Sequence, residues 1–176
     1  MAKTSSESKK NQDQRNEIVY GPFQGWQKGL YSNFAMLMEQ FLAEMEKANM
    51  PMRFTAGIRT AEQQEKLYEQ GRAHPGKIVT NARAWETSHN YGLAVDVCFR
   101  GKDPYAELSP KSWETVAILC EKFGLEWGGS WKKFPDKPHI QCLYGFTVKE
   151  LKAIIDKGGD MLAVWSAIDI KRADKG

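Results

Sequence analysis

The sequence predicts an α+β domain, a small antiparallel sheet flanked by helices. Three observations lead there. Apolar residues recur at helical spacing from Phe34 to Met45. Two capping boxes, at Thr60 and Thr147, open further helices. Short β-branched runs lie among the helices without the regular strand–helix alternation of a parallel sheet.

Residues 1–17 are Ser-, Lys- and Gln-rich and almost without apolar side chains, which predicts a disordered tail. Residues 18–31 mix Gly21, Pro22, Gly25 and Gly29 with aromatics and suggest an irregular segment. Phe34, Leu37, Met38, Phe41, Leu42 and Met45 then form one stripe of an amphipathic helix, core-facing, that ends before Asn49 and Pro51. Residues 53–58 read as a strand. Thr60-Ala-Glu-Gln63 caps a helix carrying Leu67 and Tyr68 and stopping at Gly71. Residues 72–86 form a long loop holding His74, and long ordered loops often serve function.

Residues 92–99 predict a second strand, with Asp96 sharing a face with Ala94 and Cys98 and with Val95, Val97 and Phe99 opposite. Ser109-Pro110 starts a helix whose inner face is Trp113, Val116, Ala117 and Cys120, ended by Gly124. Residues 127–131 make a turn and residues 139–143 a last strand. Thr147-Val-Lys-Glu150 caps a helix with Leu151, Ile154 and Ile155, up to Gly158. A shorter helical piece, residues 161–168, closes the domain before a tail at 171–176. One domain over 18–170 is expected, its motif-bearing part about 53–144.

Composition narrows the class. The chain has 176 residues, enough for one real core. Its net charge of +3 suits an anionic polymer such as a cell wall without specifying one. No Lys/Arg run is dense enough to argue for nucleic acid. No stretch approaches the ~20 apolar residues of a membrane span, so no membrane insertion is expected. The N-terminus lacks the apolar core of a secretory signal, which implies synthesis in the cytoplasm with a site of action that can lie elsewhere. Cys98, Cys120 and Cys142 are widely spaced and form no Cys-x-x-Cys pair, so small buried hydrophobes are expected rather than a disulfide framework or a cysteine metal site.

The chemistry concentrates in two stretches. Residues 87–96, Thr-Ser-His-Asn-Tyr-Gly-Leu-Ala-Val-Asp, hold His89 and Asp96; residues 136–139, Asp-Lys-Pro-His, hold Asp136 and His139. Two histidines and a carboxylate are a common ligand set for catalytic zinc, leaving the fourth tetrahedral position to water. Gly92 lets the chain bend between His89 and the strand carrying Asp96, and His139 can come from a neighbouring strand. Pro138 forbids a regular helix between Asp136 and His139, so a tight turn brings Asp136 beside the open position. A carboxylate there can take a proton from water and pass it to a leaving amine. Alone, each residue also has a structural explanation: a satisfied core histidine, a hydrogen-bonded buried aspartate, a turn cap at Asp136. For His74, with no matching partner, the loop explanation is preferred.

Residues 87–96 resemble the S-x-H-x-x-G-x-A-x-D motif of the zinc D,D- and L,D-peptidases that cut peptidoglycan stem peptides. Gly57-Ile-Arg-Thr60, Gln64 with Leu67-Tyr68, Gln70-Gly-Arg72, Thr80-Asn-Ala82, Trp127-Gly-Gly-Ser-Trp131 and Asp136-x-Pro-His139-x-Gln141 agree in order. The Asp-x-Pro-His form behind Trp-Gly-Gly-x-Trp is most similar to the endolysin-like branch. The resemblance implies a D,D-peptidase-like (Hedgehog-type) fold and one catalytic zinc ion held by His89, Asp96 and His139. It implies Asp136 as base, and Arg59 binding a substrate carboxylate or carbonyl oxygen as a guanidinium fork can. It also implies substrate contacts from Gln64, Thr87, Ser88 and Trp131, stem peptides as partner to a monomer, and action at the wall after release. Two positions depart: Thr87 replaces the family serine and Ser130 stands where aspartate is frequent, which bears on substrate preference rather than on the metal.

The implied reaction is hydrolysis of a stem-peptide bond, with L-alanyl-D-glutamate endopeptidase first and D-alanyl-D-alanine carboxypeptidase next. Three other classes compete. A silent wall-binding module with a structural zinc would leave Asp136 and Arg59 without work. An iron(II) oxygenase uses a similar triad but sets the carboxylate close behind the first histidine, whereas six residues separate His89 and Asp96 here. A Cys98 hydrolase has no surrounding motif. Arg59 as a structural ion pair, and Trp127 and Trp131 as core or as cleft walls, stay open at this level.

Overall fold

The computed structural model describes residues 25–100 and 110–174. The tail expected at residues 1–17 and the helix start at Ser109 lie outside the described residues.

The first long helix, α1 (Ser32–Lys47), buries Phe34, Ala35, Met38, Phe41 and Met45. Leu37 and Leu42 pack at the margin of the same cluster. The chain then runs through β1 (Met52–Ala56), α2 (Ala61–Glu69), β2 (Ala94–Phe99), α3 (Pro110–Lys122), β3 (Glu126–Trp127), β4 (His139–Gln141), α4 (Val148–Asp156) and α5 (Met161–Ala173). Both predicted capping boxes form. Thr60 accepts from the Gln63 backbone N–H and Gln63 reaches back to Thr60; Thr147 and Glu150 do the same.

The four strands make one antiparallel sheet in the order β1-β2-β4-β3. In β2 only Asp96 escapes full burial. Val95, Val97 and Phe99 join Ile140 of β4, the α1 stripe and Trp113, Val116 and Cys120 of α3 in the core. The division of faces predicted for β2 thus holds, with Asp96 opposite that core beside Ala94 and Cys98, which are also buried.

Three elements differ from expectation. The approach to β2 is a 3-10 helix, Ser88–Tyr91, because the Thr87 hydroxyl caps His89 N–H and Gly92 turns the chain in the left-handed region (φ +66°). A Cβ at Gly92 would also lie 2.4 Å from the Gly29 carbonyl oxygen. The strand at His139 ends at Gln141, since Tyr144 turns the chain out with φ +50°. The last helix runs on to Ala173, so residues 171–173 are helix rather than tail. Lys171 and Arg172 favour the helix C-terminus, and Arg172 Nη1 donates to the Tyr31 hydroxyl at 3.2 Å.

The last helix braces the segment that carries His89. Trp165 Nε1 of α5 donates to the Tyr91 carbonyl at 2.9 Å. Tyr91, itself fully buried, donates its hydroxyl to the Trp85 carbonyl at 2.6 Å.

Candidate metal centre

Strand register brings the first two polar groups together. Asp96 of β2 stands opposite His139 of β4, so both side chains leave the sheet on one face. His89 reaches the same point from the 3-10 helix ahead of β2. His89 Nε2 lies 3.2 Å from His139 Nδ1. Asp96 Oδ1 lies 3.3 Å from His89 Nε2 and 3.4 Å from His139 Nδ1. Bonds of about 2.0–2.1 Å to a tetrahedral ion put its ligand atoms about 3.3 Å apart. The triangle therefore has the size of one face of a zinc coordination tetrahedron.

Hydrogen bonds behind the rings aim their lone pairs. His89 Nδ1 lies 2.7 Å from the Gly57 carbonyl, which only accepts, so that nitrogen carries the proton. His139 Nε2 meets the Gln141 carbonyl oxygen at 2.9 Å, and the same logic applies. The two remaining ring nitrogens, both unprotonated, then face each other and a carboxylate oxygen. Such an arrangement repels itself unless a positive charge lies between. Burial pushes the His89 imidazole pKa down. Burial would also lower His139, but Asp96 and Gln141 stabilise its charged form and raise it. Asp96 would be raised by burial, yet its interaction with His89 and His139 whenever those rings carry the extra proton, and with Arg59, holds it well below the usual carboxylate range. The donor set and its charge fit a divalent cation. Among the described residues it is the group of histidine and carboxylate side chains able to hold a metal ion.

The triangle opens on a cleft of about 870 Å³. Residues 80–142 match the protein family described as D-alanyl-D-alanine carboxypeptidase. Over 98 residues the chain is 39% identical to the peptidoglycan L-alanyl-D-glutamate endopeptidase CwlK of Bacillus subtilis (strain 168), covering 51% of this chain and 59% of that protein. The chain resembles the peptidoglycan peptidases. In fold it is similar to DacB from Streptococcus pneumoniae D39, with TM-score 0.53, 22% identity and coverage of 74% of this chain and 73% of that one. It is also similar to VanYB in complex with D-alanine-D-alanine, with TM-score 0.54, 13% identity and coverage of 83% and 88%. The likeness in fold thus extends beyond residues 80–142 to about three-quarters or more of the chain.

The other predicted site residues fall into two groups. Arg59, Thr87, Ser88, Trp131 and Asp136 line the cleft with the triangle. Gln64 does not line it: the side chain is fully buried. Its amide donates to the Ala82 carbonyl at 2.8 Å, and its oxygen faces Arg59 Nη1 at 3.4 Å. Arg59 Nη2 in turn donates to Asp96 Oδ2 at 2.9 Å. Arg59 is therefore an ion-pair partner of the carboxylate in the triangle and a wall of the cleft at once. Ser88 is buried and donates to Gln141 Oε1 at 2.7 Å.

Asp136 opens a turn in which His139 N–H donates to the Asp136 carbonyl at 3.1 Å, with Pro138 buried between. Gly128 carries this loop: its carbonyl accepts from Asp136 N–H at 2.9 Å. A Cβ on Gly128 would lie 2.6 Å from the Asp136 carbonyl oxygen and 3.0 Å from His139 Cβ. Desolvation in the cleft, joined by the Asp96 charge, raises the Asp136 pKa.

The two tryptophans separate. Trp127 stacks on Trp113 with ring centres 5.8 Å apart and belongs to the core margin. Trp131 tilts against His139 at 5.0 Å and forms a cleft wall. His74 pairs with Glu69 at 3.3 Å on the exposed loop, away from the triangle. Cys98 is buried and does not line the cleft, which removes the cysteine hydrolase reading. Asn90 has a structural part that its residue type alone does not announce. Buried, it donates to the carbonyls of Arg59 at 2.9 Å and Thr60 at 3.2 Å and accepts from Trp85 N–H at 2.9 Å, tying the Arg59 loop to the His89 helix. Its place next to His89 was the available signal.

Proposed function

We propose that the protein is a zinc metallopeptidase that hydrolyses a stem-peptide bond of bacterial peptidoglycan, the L-alanyl-D-glutamate bond. The observation carrying this reading is the triangle of His89, Asp96 and His139 donor atoms at 3.2–3.4 Å spacing, open to a cleft that Asp136 lines. The chain spans about three-fifths of the length of the endopeptidase relative it matches, and the activity of that relative supports the choice of bond.

A zinc ion held by the three side chains would make water acidic enough to act as nucleophile near neutral pH and polarise a carbonyl. The chain supplies the rest. Asp136 accepts the proton of the attacking water on a carboxylate oxygen and returns it to the leaving amine nitrogen. Arg59 holds Asp96 in its ionised form and offers its remaining N–H groups to the cleft. Trp131 walls the cleft beside His139 and limits water there. The enzyme acts as a monomer on the cell wall after release; no described helix is long and apolar enough to cross a membrane.

Digestion of purified peptidoglycan with and without chelator, followed by fragment masses, tests the proposal. The expected result is zinc-restorable release of fragments with a free D-glutamate amine. Terminal D-alanine alone would mark the carboxypeptidase variant, and absence of any chelator-sensitive product would defeat the peptidase reading.

A further inference from the structure

The chain of hydrogen bonds behind His139 does not stop at Gln141. Glu126 of β3 is the register partner of Gln141 on β4, and neighbouring strands set such side chains next to each other. Glu126 Oε2 accepts from Gln141 Nε2 at 2.8 Å, and Glu126 Oε1 accepts from Trp131 Nε1 at 2.6 Å. Gln141, nearly fully buried, uses its single carbonyl oxygen for two donors, His139 Nε2 at 2.9 Å and Ser88 Oγ at 2.7 Å.

A carboxamide has two ends of similar size, one donating and one accepting. Two of the three groups around Gln141 tolerate either end. A serine hydroxyl donates or accepts. A neutral imidazole nitrogen does the same, according to its tautomer. Glu126 alone is limited to accepting, so it alone fixes which way the amide points. With the NH₂ end drawn to Glu126, the carbonyl must face His139. His139 Nε2 must then carry the proton, and Nδ1 is left with the lone pair that points into the triangle. A reversed amide would put a donor against Nε2, move the proton to Nδ1 and close that corner to a cation.

We infer that Glu126, a surface carboxylate two hydrogen bonds removed from the triangle, is a positioning residue that sets the His139 tautomer through Gln141 and thereby the affinity of the site for a divalent cation. The inference rests on the triangle being a cation site. Trp131 serves the same end: by occupying the second oxygen of Glu126 it holds the carboxylate in place, while its ring confines His139.

The test uses Glu126→Leu in the full chain, with two readouts. Zinc affinity is measured by competition with a chromogenic chelator. Imidazole nitrogen chemical shifts of ¹⁵N-histidine protein are recorded without metal. Loss of partners behind a metal-bound histidine typically weakens binding about 10–100-fold, and about tenfold is expected here, with His139 no longer purely Nε2-protonated. A folded Glu126→Leu protein that keeps wild-type zinc affinity within twofold and the wild-type tautomer would overturn the inference. Should the leucine variant fail to fold, Glu126→Gln carries the same two measurements. Its NH₂ group, a donor, replaces one of the two oxygens that accept separately from Trp131 and Gln141, so a loss of threefold or more is expected, and unchanged values again overturn the inference. If wild-type protein binds no divalent cation, the cation-site reading fails instead, and the metal-free tautomer comparison still decides the role of Glu126.

Discussion

Asp96 and His139 are cross-strand partners on β2 and β4, and Asp96 Oδ1 lies 3.4 Å from His139 Nδ1. A slip of one residue between these strands would turn one of the two side chains into the core, since successive residues point to opposite faces. Two corners of the candidate metal site are thus fixed by the same register that seals Val95 and Ile140 into the core.

Metal and stability are therefore expected to be coupled. A cation that binds the folded chain at 100 times its Kd adds about 2.7 kcal/mol. Thermal unfolding should move to lower temperature on adding chelator and return with zinc. His139→Ala should show no zinc-dependent shift, and a shift of wild-type size in that variant would place the ion elsewhere.

Asp136→Asn should bind zinc like the wild type and lose about 10²–10⁴-fold in turnover, the usual contribution of a general base. Its effect on stability has a definite sign. The folded pKa of Asp136 is raised above an unfolded value of about 3.9. The protonated form is favoured on folding, so stability falls as pH rises from the unfolded pKa through the folded one. In metal-free protein Asp136→Asn should gain stability relative to wild type at pH 7 and not at pH 3. Urea unfolding at both values checks it.

Arg59→Ala would strip Asp96 Oδ2 of a partner at 2.9 Å in a pair whose side chains are 23% and 19% exposed. A hydrogen bond to a charged group contributes about 1.5–3 kcal/mol, and urea unfolding of the metal-free variant should show a loss of that order. If Arg59 also meets substrate, KM rises more than zinc affinity falls.

Gly128→Ala tests how tightly the Asp136 turn is seated. The added methyl would meet backbone oxygen at 2.6 Å, so the loop must move. Turnover should fall more than tenfold while zinc binding, held mainly by strands, changes less. Equal losses in both would show that β4 itself had shifted.

The elements themselves were legible in the chain. The Phe34–Met45 stripe, both capping threonines and the alternation of β2 are local patterns, and local backbone chemistry fulfils them. His89, Asp96, His139 and Asp136 were legible as a set because each lies in a short run with its own turn residues. What could not be read locally was pairing. Gln64 looked like a substrate contact, yet the fold buries it behind Arg59. Glu126 has no role assignable from its neighbours in sequence, yet strand register sets it against Gln141.

The sequence alone determined which residue types are able to meet a cation and where helices begin, because capping, periodicity and ligand chemistry act over a few residues. Tertiary structure decided the direction of each lone pair and the partner of each carboxylate. Those depend on groups far apart in the chain, Ser88 and Gln141 being 53 positions apart, and only packing and strand register can bring such groups within a hydrogen bond.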